Sequence, residues 1–303
     1  MNSVYLLHRR MKHLISLLTN GSQPSVSSYL GEVAVGATSR PVVDSVKKAG
    51  NEWDEYRVTI TDEFRRHPMT FLRQPVISRT VHPNQQELAK AYLTEMGKDA
   101  FARRHILSRL NDVPIGDPFL CESFPFASPM SAQHAWYLLL MHRHLDLFVP
   151  TAALSNIVEF GGGYGNFCRL ARSFGYSGRY TIADLPEMHA IQRHFLSHAL
   201  PDRLMDQKTE FLSIEDPGIL PVQSPSLFMA TFSLSETPLA LRMEVESLYE
   251  HFDYLFIAYN RSFGGVDNLE YFDGLRARLS SRLSFKLIRD EYRSAWFIFG
   301  QRL

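Results

Sequence analysis

The chain has 303 residues, 45% of them hydrophobic, and its 32 basic and 32 acidic side chains cancel to a net charge of zero. That apolar share is enough to bury a core, which excludes a wholly disordered chain, and the length suits one large domain or two of ~150 residues. The balanced charge argues against a general nucleic-acid binder, which needs a basic face.

The first segment predicts an amphipathic helix with Leu6, Leu7, Met11, Leu14, Leu17 and Leu18 along one side. Arg9, Arg10 and Lys12 with no acid in the first 31 residues give it a faint likeness to a transit peptide, against which the ordinary helix is the simpler reading. Gly21 to Ser39, rich in Ser and Gly, reads as loop. Glu52 to Arg66 and Gln85 to Leu110 have helical spacing, with Leu88, Tyr92, Met96 and Phe101 on one buried stripe. His67-Pro68 and His82-Pro83 punctuate this region, because a residue before proline avoids the helical basin. The two cysteines, Cys121 and Cys168, permit neither a disulfide framework nor a zinc spacing, which fits a reducing, cytoplasmic compartment. No apolar run approaches the ~20 residues of a membrane helix, so no membrane association is expected.

The rhythm changes near Phe124 to Pro129, dividing the chain into a helical N-terminal cap, 1–125, and a second domain, 126–303. Ser131 to Val149 predicts a long amphipathic helix stopped by Pro150. Five apolar runs then alternate with helical stretches: Asn156–Phe160, Tyr180–Ala183, Glu210–Ile214, Leu227–Phe232 and Tyr254–Tyr259. Near-continuous apolar strands separated by helices indicate a parallel sheet covered on both faces. Pro186 and Pro238 occupy first-turn positions, Gly175 a helix stop, and Asp267 with Glu270 a capping box. Ser284–Arg289 and Ala295–Gly300 are too close for a crossover, so the last two strands form an antiparallel hairpin.

The most informative segment is Ile157-Val158-Glu159-Phe160-Gly161-Gly162-Gly163-Tyr164-Gly165-Asn166-Phe167, a strand, a glycine loop and a helix start. Glycines let a ligand approach the backbone, and the helix N-terminus offers free N–H groups to an anion. The dinucleotide spacing G-x-G-x-x-G fails from every start, which disfavours a nicotinamide enzyme. The spacing is instead Glu-x-Gly-x-Gly-x-Gly, from Glu159, Gly161, Gly163 and Gly165. The second strand ends in Asp184, 23 positions after Gly161, where nucleotide-binding α/β folds grip a ribose.

Glu159–Gly165 together with Ala183-Asp184-Leu185-Pro186-Glu187, Phe232-Ser233-Leu234-Ser235-Glu236 and Ala258-Tyr259-Asn260-Arg261 resembles the sugar O-methyltransferase family, within the class I S-adenosylmethionine (SAM)-dependent methyltransferases. The resemblance spans roughly residues 126–263. It implies a Rossmann-like α/β fold with a mostly parallel sheet and a C-terminal antiparallel hairpin. It also implies SAM as cofactor, held by Glu159, Gly161, Gly162, Gly163, Tyr164, Gly165, Asp184, Leu185, Phe232 and Ser233. The implied reaction is O-methylation of a small hydroxylated acceptor, a sugar in that family's terms.

Methyl transfer needs an aligned acceptor oxygen and usually a base for its proton. Glu236, after the fourth strand, is the first candidate, and its alternative role is an acid favoured near a helix N-terminus. His134 is the second candidate, against a packed core histidine. Asn260 and Arg261 are candidates for substrate hydroxyls or a carboxylate. No metal is expected: His194 and His198 share a helix face but lack the Glu of a zinc helix, and no acidic pair follows the fourth strand. The competing reading is a catalytically silent SAM-fold subunit that binds a partner protein. The sequence leaves the oligomeric state open.

Overall fold

A computed structural model describes residues 52–303 apart from 151, 206–207 and 215–221. The expected first helix and the Gly21 to Ser39 loop lie outside the described residues. The chain enters through α1 (Glu52–Arg66), α2 (Pro75–Thr80) and α3 (Gln86–Lys98). The expected helix over 85–110 is interrupted after Lys98. Asp99 takes an extended backbone, and its carboxylate caps the next turn by accepting from the Ala102 N–H at 2.9 Å. A π-helical turn, Arg103–Leu107, follows.

Helix α4 (Pro129–Leu145) departs most from expectation. Pro129 sits in its first turn and the Ser128 hydroxyl caps it, accepting from the Ser131 N–H at 3.1 Å. It stops at Leu145, short of Val149, because Asp146 turns left-handed at φ 51°. Nor is it amphipathic: eleven consecutive residues, Ser131–Met141, are buried. A helix buried all round is one packed on opposite sides at once. Here α3 covers one side, where the Tyr92 and Trp136 rings stack at 5.3 Å, and the sheet covers another, where Tyr137 meets Phe256 and Phe297.

The sheet comprises β1 (Asn156–Phe160), β2 (Arg179–Asp184), β3 (Thr209–Ser213), β4 (Ser226–Thr231), β5 (Tyr254–Asn260), β6 (Leu283–Arg289) and β7 (Ala295–Arg302). Their order is β3-β2-β1-β4-β5-β7-β6, with β1 to β5 parallel and β7 antiparallel to both neighbours. Between strands run α5 (Asn166–Phe174), α6 (Pro186–Ala199), α7 (Leu239–Glu246) and α8 (Asn268–Leu279). Pro186 opens α6 and Gly175, at φ 124°, closes α5, as expected, whereas Pro238 stands one place before α7 as its N-cap. The Asp267 carboxylate caps α8 from the N–H groups of Leu269 and Glu270.

Period-two alternation splits the strands between two apolar layers. Ile157, Ile182, Leu227, Met229, Phe256 and Phe299 join the layer that contains Phe64, Phe71, Tyr92 and Trp136 from the N-terminal helices. Val158, Phe160, Phe228, Leu255, Ile257 and Ile298 face α7 and α8 with Leu241, Val245, Phe272 and Leu275. Burial on both faces explains why these strands read as unbroken apolar runs. The architecture is a Rossmann-like α/β sandwich, and its parallel strands converge their carboxyl ends on one edge.

Candidate functional site

A cavity of about 330 Å³ opens over those carboxyl ends. Its floor is the loop from β1 to α5. The Gly161 N–H donates to the Ala183 carbonyl at 2.8 Å and the Gly165 N–H to the Gly162 carbonyl at 2.9 Å, folding the loop tightly between β1 and β2. Gly161 adopts φ +73°, and Gly165, the N-cap of α5, adopts φ +90°, both in the region that favours glycine. The Ser233 hydroxyl donates to the Phe160 carbonyl, tying the loop after β4 to the one after β1.

Two carboxyls stand in this floor. Glu159 is 1% exposed, and its Oε2 accepts from the Tyr180 hydroxyl at 2.7 Å. Burial raises its pKa to about 8, with the Asp184 charge adding and the Tyr180 hydrogen bond opposing. Asp184 ends β2 at 6% exposure, accepting from the Leu185 N–H at 2.8 Å and the Gln192 amide at 2.7 Å. Burial lifts Asp184 to about 7 against those hydrogen bonds and others from Gly162 and Gly163. Gln192 donates from the same nitrogen to the Gly163 carbonyl at 2.8 Å, so α6 clamps the acid and the glycine loop together.

A second buried network reaches the cavity from α4 and α5. Arg169 Nη2 meets Asp112 Oδ1 at 2.7 Å, both nearly solvent-free. Burial pushes Asp112 up, but the Arg169 guanidinium and bonds from Ser128 and Ser131 outweigh it and hold the carboxyl below its usual range. Arg169 Nε donates to Asn166 Oδ1 at 3.0 Å, which leaves the Asn166 amide to face Ser131 Oγ at 3.1 Å and His134 Nδ1 at 3.2 Å. An amide NH₂ only donates, so His134 Nδ1 accepts and the ring's proton lies on Nε2. Burial foremost, then the Arg169 charge, depresses His134 to about 3, which keeps the ring neutral.

Glu159, Gly161, Gly162, Gly163, Tyr164, Asp184, Leu185, Phe232, Ser233, Glu236, His134 and Asn260 all line the cavity. Gly165 lies behind the wall, shaping the helix start. Tyr164 turns inward, packing edge-on against Phe71, His82 and Phe195. Arg261 is exposed and outside the lining, so the structure does not bring it to the other candidates. Among the described residues no group of three or more His, Cys, Asp or Glu is placed to hold a metal, and no helix is long and apolar enough to cross a membrane.

Sequence reasoning missed Gln192, Gln133, Arg57, Arg79 and Arg293. The last four line the cavity. Arg57 Nη2 meets Glu187 Oε1 at 2.9 Å, joining α1 to α6 across 130 positions, and no local pattern announces such a pair. Gln133 alone had a signal, as the neighbour of His134 on α4.

No protein-family model matches the chain. No characterised protein sequence matches it either. Among solved structures it is similar to the mitomycin 7-O-methyltransferase MmcR, at 13% identity and TM-score 0.41 over 97% of this chain and 83% of that one. The methyltransferase domain of bacterial CtHen1 aligns at 9% identity and TM-score 0.41, over 55% of this chain and 96% of that one. A human methyltransferase 10 domain containing protein gives 8% identity and TM-score 0.41, over 71% and 97%. Such identities bear on fold alone. It is the strand order, with β7 antiparallel between β5 and β6 and a glycine loop after β1, that makes this chain a Rossmann-like α/β protein.

Proposed function

We propose that the chain is a SAM-dependent O-methyltransferase whose acceptor is a small hydroxylated molecule, a sugar or glycosylated metabolite. The observation that carries this reading is the clamp of the glycine loop and Asp184 by Gln192 at the mouth of β1 and β2. SAM fits that site chemically: it carries a cationic ammonium and a ribose diol, and the floor offers two buried carboxyls with raised pKa values. Asp184 would hold the ribose hydroxyls and Glu159 would face the amino-acid end, above the backbone of Gly161 to Gly163. When bound, SAM supplies an electrophilic methyl group on a sulfonium.

The chain's own residues then divide the remaining work. Glu236 lines the acceptor side and takes the hydroxyl proton as its oxygen attacks. His134, neutral with its proton on Nε2, suits hydrogen-bond donation to the acceptor, not proton removal. Asn260, at the end of β5, offers an amide to a further hydroxyl. The loop between α2 and α3 walls the cavity with Val81, Pro83 and Gln85 and helps exclude water from the in-line displacement.

Isothermal titration with SAM and with S-adenosylhomocysteine tests the reading. Binding of both, lost in Asp184→Ala, is expected; wild-type protein that binds neither overturns it.

A further inference from the structure

Arg293 stands in the turn between β6 and β7, two residues before Ala295, which pairs with Asn260 at the end of β5. That register places it over the acceptor side of the cavity, with Glu236 and Asn260 in the same wall. Its partners are neutral. Nη1 donates to the Gln133 Oε1 at 3.1 Å, and the guanidinium carbon lies 4.1 Å from the centre of the Phe232 ring. Among the described residues no carboxylate oxygen comes within 4.0 Å of its nitrogens. Neighbouring Asp290 spends its oxygens on the Tyr92 hydroxyl and the Tyr292 N–H.

The contrast with the other arginines near the cavity is informative. Arg169 is matched by Asp112 and Arg57 by Glu187, while Arg79, also in the lining, is exposed and lies over the Tyr56 ring. A guanidinium carries five N–H donors in a planar fork suited to two oxygens of one anion, and Arg293 uses one of them on protein. Its position is also fixed beforehand. Asp290 fastens the turn to α3 through Tyr92, and Phe232, held at a positive φ of 72°, presents its ring beneath the charge. A half-buried cation braced by neutral groups, in a cavity that also suits a cationic cofactor, leaves positive charge for the acceptor to balance.

We propose that the acceptor carries an anionic group, a carboxylate or a phosphate, that docks bidentately on Arg293. This rests on the reading of the cavity as a joint cofactor and acceptor site. The test uses full-length protein saturated with S-adenosylhomocysteine, titrated calorimetrically with inorganic phosphate and, separately, with acetate at ionic strength fixed by chloride. Saturable binding of at least one anion is expected, and which one binds identifies the group. Arg293→Gln should weaken it about tenfold or more, as loss of a charge-assisted pair does, and Arg293→Lys by less. Arg65→Gln, the same charge change on the outer surface of α1, should leave it unaltered. S-adenosylhomocysteine affinity reports that each variant is folded. Binding of neither anion to the wild type, or equal binding by wild type and Arg293→Gln, overturns the proposal. Failure of the wild type to bind S-adenosylhomocysteine removes the functional reading and this proposal together; cofactor binding without anion binding removes this proposal alone.

Discussion

Ser233 occupies the space that a side chain at Gly161 would need: a Cβ built on Gly161 falls 2.1 Å from the Ser233 Cβ. The loops after β1 and β4 are therefore packed backbone against side chain, and the Ser233 hydroxyl bond to Phe160 closes the same joint. Gly161→Ala meets this contact and the positive φ together, so neither a small shift nor a rotamer change relieves it. The variant should lose S-adenosylhomocysteine binding by titration calorimetry. Ser233→Ala removes only the hydrogen bond and should cost ~1 kcal/mol in a urea titration while binding persists.

Glu236→Gln separates binding from chemistry. If Glu236 accepts the hydroxyl proton, kcat falls by ~10²–10⁴ while cofactor affinity is unchanged, because its partner is the acceptor and not the cofactor. His134→Gln, which keeps a donor, should lower kcat less than Glu236→Gln does. The measurement is methyl transfer from radiolabelled SAM beside titration of each variant with S-adenosylhomocysteine.

The strands and the floor of the cavity were legible because both rest on local rules. Strands buried on two faces must be apolar runs, and the interval from Gly161 to Asp184 is one β-α-β unit of fixed reach. What escaped depends on meetings between distant residues. Gln192 looks like any polar residue on α6 until the fold sets it between Gly163 and Asp184. Arg293 and Gln133 are 160 positions apart and meet only because β7 inserts beside β5. The expectation for α4 assumed that one side of a helix faces water, whereas here α3 and the sheet enclose it.

The Asp112–Arg169 pair is a strong determinant of stability through its burial. Asp112→Asn leaves the Arg169 guanidinium, 2% exposed, without a counter-charge, and should destabilise by ~3–5 kcal/mol in urea unfolding. Because Arg169 also orients Asn166 toward His134, the loss should reach the cavity and slow turnover. Replacing both partners, Asp112→Leu with Arg169→Met, removes the unpaired charge and should recover much of the stability, but not the orientation of His134.

Stability of the cofactor-free protein should peak near pH 6.5. Burial holds His82, His144, His189 and His194 to about 4 and His134 to about 3, so each binds fewer protons folded than unfolded below its ordinary ~6.5. Stability therefore climbs from pH 4 toward 6.5. Glu159 and Asp184 act in the opposite sense, since the folded chain keeps protons up to about 8 and about 7 that the unfolded chain has released above ~4.5. Five histidines outweigh two carboxyls up to and slightly beyond pH 6.5; once the unfolded histidines have lost their protons the carboxyls dominate, and stability declines until about pH 8. Thermal unfolding midpoints between pH 4 and 9 should trace this rise and fall. Glu159→Gln should flatten the upper limb and leave the lower one in place, because the amide has no proton to lose. S-adenosylhomocysteine should raise the midpoint most at high pH, where Glu159, facing its ammonium, and Asp184, facing its ribose, are already ionised.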